Sequence, residues 1–148
     1  MHRFFIYCAL LLTATLWSAQ EDLLSVGAGI NAMRSNRYRT GEVRLEYKSH
    51  LEWYTLRPMA GIMTSFLGSV YVYGGFGLDW LIQKRFLFSP NFAAGYYYSG
   101  NGKKLGFPLE FRSGLEVGYQ FANKYRVGLH YYHISNASLG HRNPGLES

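Results

Sequence analysis

Apolar and polar side chains alternate along most of this 148-residue chain. In the segment 109–121 the odd positions are apolar except for one serine: Leu109, Phe111, Ser113, Leu115, Val117, Tyr119 and Phe121. The even positions carry charges, glycine or glutamine: Glu110, Arg112, Gly114, Glu116, Gly118 and Gln120. Successive side chains of a β-strand point to opposite faces, so this pattern predicts strands with one apolar and one polar face.

The polar faces of these strands indicate a narrow interior. They combine glycines with charges of both signs at Glu42, Arg44, Glu46, Asp79, Glu110, Arg112 and Glu116, and His130 shares the polar face of its strand. The alternative, a soluble β-sandwich, seldom pairs glycine with both signs of charge, whereas small barrels fill their lumen in this way. Open strand edges are costly in lipid, so the sheet must close. The sequence predicts an all-β fold, a small antiparallel transmembrane β-barrel of the eight-stranded type.

Seven strands are predicted, at 23–33, 40–49, 56–66, 70–82, 86–98, 109–121 and 125–135. The last strand would only begin at 146–148 and looks truncated, because a spanning strand needs roughly 9–11 residues. The first and seventh strands would then keep open edges. The longer polar segments 34–39, 99–108 and 136–145 are predicted to be outer loops, since bacterial barrels have short periplasmic turns and longer outer loops.

Residues 1–19 are typical of a secretory signal peptide, which leaves 20–148 as the barrel domain. Arg3 provides the positive start, an apolar run follows from Phe4 to Leu16, and Ala19 precedes a polar segment. The apolar run is too short to span a bilayer as a helix. The only cysteine, Cys8, lies in this segment, so the exported part would contain neither disulfides nor thiolate metal ligands.

The composition favours a membrane as the partner. The net charge of +6, the thirteen tyrosines and the ten phenylalanines suit an anionic membrane surface better than nucleic acid in an exported chain. We therefore predict a location in the bacterial outer membrane and no nucleic-acid partner, and a homodimer remains open. His50 and His141 lack partners at metal-ligand spacing, so no metal and no cofactor are expected.

The candidate chemistry lies at the end of the seventh predicted strand. His133 and Ser135 are two residues apart, so their side chains lie on the same face of the strand as Tyr131. This face is apolar and therefore predicted to contact lipid, and its end lies near the outer leaflet. An imidazole can activate a serine hydroxyl, and a carboxylate such as Glu147 can orient the imidazole. This spacing alone is weak evidence, because a histidine and a serine so placed are more often ordinary strand-end residues.

Two further features would complete such a site. The segment 136–145 must turn back to bring Glu147 to the histidine, and Asn143-Pro144-Gly145 is a plausible turn. Asn136, together with nearby backbone N–H groups, is the candidate hydrogen-bond donor to an oxyanion.

The C-terminal block resembles the signature of the lipid A 3-O-deacylase (PagL-like) acyloxyacyl hydrolase family. The matching residues are His133-x-Ser135-Asn136-Ala137 and Asn143-x-Gly145-x-Glu147-Ser148. Further similarity lies in Arg57-Pro58-x-Ala60-Gly61, Tyr73-Gly74-Gly75 and Glu110-Phe111-Arg112-Ser113-Gly114. The resemblance implies an eight-stranded outer-membrane barrel that hydrolyses an ester-linked acyl chain of lipid A in lipopolysaccharide.

The resemblance also implies roles for individual residues. His133 would be the base, Ser135 the nucleophile, Glu147 the orienting acid and Asn136 an oxyanion donor, while Ser138 stands where the family tends to have glycine. Basic residues of the outer loops are predicted to contact lipid A phosphates: Arg34, Arg37, Arg39, Lys103, Lys104 and Arg142. Family members continue beyond the glutamate with a final strand, so a truncated product and an inactive relative with a structural or adhesive role are both open.

Overall fold

The computed structural model describes residues 22–148 in full and the backbone of 12–19. These residues form ten β-strands: β1 Leu12–Ala19, β2 Asp22–Asn31, β3 Thr40–Lys48, β4 Leu56–Ser65, β5 Val70–Leu78, β6 Trp80–Ile82, β7 Phe86–Tyr98, β8 Leu109–Gln120, β9 Arg126–Ser135 and β10 Leu146–Glu147. Within this described part there is no helix long and apolar enough to cross a membrane. The all-β prediction is confirmed.

The strand predicted at 70–82 is interrupted at Asp79. Both of its parts, β5 and β6, pair with β7 in one continuous register, from Gly77 opposite Asn91 to Trp80 opposite Phe88. The gap falls beside Pro90 of β7, whose ring nitrogen carries no hydrogen to donate to the ladder. The other six predicted strands coincide with β2, β3, β4, β7, β8 and β9 to within two residues.

Antiparallel pairing joins β2, β3, β4, β5, β7, β8 and β9 in that order, with β6 continuing β5 beside β7. The connections 32–39, 66–69, 99–108 and 136–145 lie at one end of the strands, which we call the long-loop rim. Those at 49–55, 83–85 and 121–125 lie at the other end, the short-turn rim. The order of the strands therefore agrees with a meander barrel.

The edges of β2 and β9, which the sequence predicted to be open, are paired in part in the structure. β1 pairs with β2 along its length and with β9 at Gly128 and Val127, so the pairing returns on itself. Near the long-loop rim β9 pairs with β10 instead, and the Met33 N–H donates to the Glu147 carbonyl at 3.0 Å. This pairing satisfies part of the backbone groups that an open edge would leave unpaired in lipid. β1 covers the second half of the predicted signal peptide, and residues 1–11 and 20–21 lie outside the described part.

Charged side chains fill the interior of the barrel. Glu46 accepts from Arg112 Nη2 at 3.0 Å and from the Tyr73 hydroxyl at 2.7 Å. Asp79 binds Lys48 at 2.8 Å, Arg57 at 2.8 Å and Arg126 at 2.7 Å. Other buried polar side chains of the lumen are Glu42, Arg44, Glu110 and His130. For Glu46 and Asp79, ion pairs and hydrogen bonds offset the cost of placing charge inside a narrow barrel, whereas neither carboxylate oxygen of Glu110 has a hydrogen-bond partner among the described residues.

The outward face of the barrel is apolar. Large hydrophobic side chains exposed along the strands include Val43, Leu45, Ile62, Val72, Phe92, Leu115 and Val117. Aromatic pairs collect near the short-turn rim, where Trp80 stacks on Phe88 with ring centroids 5.8 Å apart and Phe86 meets Tyr119 edge-on at 5.6 Å. A soluble sandwich would bury its apolar face. This inverted arrangement is that of a membrane barrel.

Candidate active site

His133 and Ser135 both face outward at the end of β9. Their strand alternates, with Tyr131 52% exposed while Tyr132 and Ile134 are buried in the lumen. The His133 side chain is 43% exposed, and Ser135 is partly exposed beside it. The face predicted for these two side chains is therefore the one that they occupy, on the same side of the sheet as the apolar outer surface.

Glu147 lies beside His133 on the neighbouring strand. The two residues are paired in register between β10 and β9, and Glu147 Oε1 lies 3.2 Å from His133 Nδ1. Glu147 is buried, with an 11% exposed side chain. A carboxylate so placed favours the His133 tautomer that carries its proton on Nδ1 and leaves Nε2 as the acceptor.

Gly145 makes the approach of β10 to His133 possible. Its φ of +65° lies in the left-handed region that glycine adopts without strain. A Cβ atom at this position would lie 2.8 Å from His133 Cε1. The backbone of Gly145 therefore packs directly on the imidazole ring, two residues before Glu147, so the 143–145 turn delivers the carboxylate at the correct distance.

Two serines are neighbours of His133 in the sheet. Ser135 follows His133 along β9, whereas Ser113 of β8 lies opposite His133 in the ladder, on the same outward face. Among the residues described, neither hydroxyl forms a hydrogen bond with the His133 ring. Catalytic hydrogen bonds are often long until substrate binds. Sequence reasoning missed Ser113, because only the register between β8 and β9 reveals that it is a neighbour.

Asn136 makes contacts other than the one predicted for it. Its side chain is buried, and Nδ2 donates to the Leu105 carbonyl at 2.9 Å and to the Arg142 carbonyl at 2.7 Å. Its backbone N–H donates to Asn143 Oδ1 at 3.1 Å. An amide nitrogen has two hydrogens to donate. All the donors of Asn136 are therefore engaged within the protein, so the predicted oxyanion contact by its side chain would require one of these bonds to open.

The sequence model of the lipid A 3-O-deacylase (PagL) family matches residues 24–148. The chain belongs to that family. Comparison with curated proteins and comparison with solved structures each find no match. The match confirms the resemblance inferred from the C-terminal block, and it assigns lipid A deacylation to this chain at the level of the family.

The backbone turn after the candidate nucleophile offers donors that this PagL-family chain does not use elsewhere. Leu139 N–H donates to the Asn136 carbonyl at 3.0 Å, and φ is +50° at Ala137 and +63° at Ser138. These angles describe a type I′ turn, which glycine and asparagine favour. Among the described residues, the N–H groups of Ala137 and Ser138 have no acceptor. Side chains held in the left-handed region are strained, and such strain collects at functional sites.

The basic residues predicted to meet lipid A phosphates all lie at the long-loop rim, but several already bind protein groups. Arg34 Nη1 lies 3.7 Å from Glu147 Oε1. Arg39 Nε donates to the Met33 carbonyl at 3.0 Å, and Lys103 Nζ donates to the Gly145 carbonyl at 2.6 Å. The guanidinium of Arg37 lies over the ring of Tyr38, while Lys104 and Arg142 are exposed. Across residues 12–19 and 22–148, no group of three potential His, Cys, Asp or Glu metal ligands assembles.

Proposed function

We propose that this chain is a serine esterase of the outer membrane that removes the 3-O-linked acyl chain of lipid A. Ser135 is the nucleophile, His133 the general base and Glu147 the residue that orients the imidazole. The observation that carries the proposal is the outward-facing His133, which has Glu147 Oε1 at 3.2 Å and a serine two residues along the same strand. The family match to lipid A 3-O-deacylase supplies the substrate class.

The reaction follows from the placement of these groups. His133 Nε2 accepts the Ser135 proton as the hydroxyl oxygen attacks the ester carbonyl, and a tetrahedral oxyanion forms. His133 then gives the proton to the departing oxygen at position 3 of the sugar, so the products are the free alcohol and an acyl-serine. A water, deprotonated by the same imidazole, hydrolyses the acyl-serine to the fatty acid and restores Ser135.

The oxyanion needs donors that are directed at its position before the reaction. The free N–H groups of Ala137 and Ser138 lie two and three residues beyond the nucleophile, in the strained turn. We assign the oxyanion contact to these backbone groups. The donors of Asn136 bind two carbonyls and Asn143, so Asn136 stabilises the turn and does not contact the oxyanion.

The position of the site suits a lipid substrate. Ser135 pairs with Phe111 in the ladder, and the outward surface beyond it is formed by Leu109, Phe92 and Tyr96. An acyl chain in the outer leaflet would lie along this surface, with its ester at the level of the long-loop rim. Exposed Lys104 and Arg142 at the same rim would meet phosphates. We further propose that residues 1–19 export the chain and that 20–148 form the mature barrel; removal of 1–19 would also take β1 away from the edges of β2 and β9.

The test is mass spectrometry of lipid A from cells that produce the wild-type chain, Ser135→Ala or Ser113→Ala. We expect the wild type and Ser113→Ala to convert lipid A to a species lighter by one hydroxyacyl group, and Ser135→Ala to leave it intact. Loss of conversion with Ser113→Ala alone would assign the nucleophile to β8. Intact lipid A in the wild type, with the barrel folded in the membrane, would indicate the alternative, a barrel with a structural or adhesive role.

A further inference from the structure

The two longer loops that flank the site are fastened to each other by side chains that no catalytic role requires. Lys103 of the 99–108 loop donates from Nζ to the Gly145 carbonyl at 2.6 Å. Asn136 at the start of the 136–145 loop donates from Nδ2 to the Leu105 carbonyl at 2.9 Å. We call these two cross-loop hydrogen bonds the loop latch. One bond runs in each direction between the loops, so each loop fixes the other.

The backbones of the two loops approach each other closely. At Gly106, where φ is +88°, a Cβ atom would lie 2.5 Å from the Arg142 carbonyl oxygen. At Gly140 a Cβ atom would lie 2.8 Å from the Gly106 carbonyl oxygen. Glycine at both positions is what allows this contact. The latch therefore closes an interface that the backbone shape of both loops already favours.

The 99–108 loop is itself fixed to the barrel and can serve as a rigid support. The Tyr97 hydroxyl donates to the Lys103 carbonyl at 2.8 Å, and Asn101 N–H donates to the Leu67 carbonyl at 2.9 Å. Tyr97 belongs to β7, and Leu67 lies in the short connection between β4 and β5. Strand β7 and the connection between β4 and β5 therefore hold the loop that carries the Lys103 ammonium.

We propose that Lys103 and Asn136 are positioning residues that hold the segment 142–147 so that Glu147 meets His133. Lys103 binds the carbonyl of Gly145, whose Cα packs on the imidazole, and Glu147 follows two residues later. Asn136 binds the Arg142 carbonyl at the other end of the same segment, at 2.7 Å. This inference rests on the esterase function proposed for the site, and it gives both residues roles other than contact with the substrate.

Lys103→Met tests the latch, because methionine keeps the length of the side chain and removes the ammonium. Lys103→Arg restores a donor, and Lys84→Met makes the same exchange in the β6–β7 turn at the opposite rim. Each full-length variant is refolded in detergent and assayed on lipid A and on a phosphate-free p-nitrophenyl fatty ester. The fraction of folded barrel is measured by the gel shift between unheated and heated samples, so that rates refer to folded protein.

We expect Lys103→Met to lower kcat by the same factor on both substrates, on the order of ten- to a hundredfold, because small misplacements of catalytic groups cost this much. KM should change little, Lys103→Arg should recover most of the rate, and Lys84→Met should match the wild type. A rise in KM for lipid A alone, with normal turnover of the phosphate-free ester, would overturn the proposal and make Lys103 a phosphate contact.

Asn136→Asp tests the second bond, because it preserves the shape and removes both Nδ2 hydrogens. We expect the Lys103→Met/Asn136→Asp double variant to lose about as much kcat as the more impaired single variant, since both changes open one contact. If the double variant instead loses kcat by the product of the two single-variant factors, the two residues do not share one role, and Asn136 would be assigned as an oxyanion donor.

Amide hydrogen exchange of residues 142–147 separates the latch from the esterase function. We expect these amides to exchange faster in Lys103→Met and in Asn136→Asp than in the wild type, with no substrate present. If the wild type hydrolyses neither substrate, the proposed function fails, but faster exchange in the variants would still show that the loop latch holds residues 142–147. Unchanged exchange rates in both variants would overturn the loop latch.

Discussion

Replacing Gly145 with alanine should separate the geometry of the site from the stability of the barrel. The new Cβ atom would lie 2.8 Å from His133 Cε1, whereas non-bonded carbon atoms prefer about 3.5–4.0 Å. The ring and the turn must therefore move apart by about 0.7–1.2 Å. A displacement near 1 Å at a catalytic group costs about a hundredfold in rate. We expect Gly145→Ala to lower kcat by about ten- to a hundredfold and to leave KM nearly unchanged.

The same substitution also places alanine at φ +65°, which costs about 1–2 kcal/mol in the left-handed region. Gly68→Ala is the matched control, because its φ is +80° and no atom lies within 4 Å of its Cβ position. Both variants should lose comparable stability in urea-induced unfolding from detergent. Only Gly145→Ala should lose activity beyond its folded fraction.

The assay is hydrolysis of a phosphate-free fatty ester, followed together with the rate at which a fluorophosphonate labels Ser135. Labelling requires an activated serine but no lipid A recognition, so a displaced imidazole should slow both measurements. If Gly145→Ala keeps wild-type kcat and labelling at equal folded fraction, the contact between Gly145 and His133 does not position the base. The reasoning that links the 143–145 turn to catalysis would then be wrong.

Three further changes have expected outcomes. Asp79→Asn leaves Lys48, Arg57 and Arg126 facing a neutral amide in the lumen. The free energy of unfolding, measured by urea titration, should therefore fall by about 3–5 kcal/mol. The control Glu52→Gln, at an exposed position, should change it little. Ser138→Gly removes a non-glycine residue from φ +63° and should raise stability by up to about 1 kcal/mol with deacylation retained; reduced stability would refute the strained turn. Leu45→Arg on the outward face should cost about 2–4 kcal/mol in bilayer refolding, whereas Leu51→Arg in the 49–55 turn should cost far less.

The strands could be predicted from the sequence because their signal is local. In β8 each apolar position faces outward and each charged position faces the lumen, and this period of two extends across nearly every strand. The predicted lumen residues follow from the same parity. The interruption at Asp79 was missed because its cause, Pro90, lies on the neighbouring strand and acts through the register of the pair.

The candidate site was predictable only in part, for the same physical reason. His133 and Ser135 share a strand, so their common face follows from spacing alone. The position of Ser113 depends on the ladder between β8 and β9, and the contacts of Lys103 and Asn136 depend on how two irregular loops pack. Neither the register between strands nor the packing of loops produces a periodic pattern in the sequence. Basic residues in the outer loops were therefore assigned to phosphates, although Lys103 binds the protein backbone.

The location of Glu147 explains how a carboxylate can be present on the outward face of a membrane barrel. A lone charge exposed to hydrocarbon costs several kcal/mol, so such groups pair or lie close to the interface. Glu147 has the His133 ring at 3.2 Å and Arg34 at 3.7 Å, and its side chain is only 11% exposed. The 78% exposed Arg34 reaches it from the rim, where water is available. A site at mid-depth would lack the Arg34 guanidinium, so the proposed esterase chemistry depends on the position at the rim.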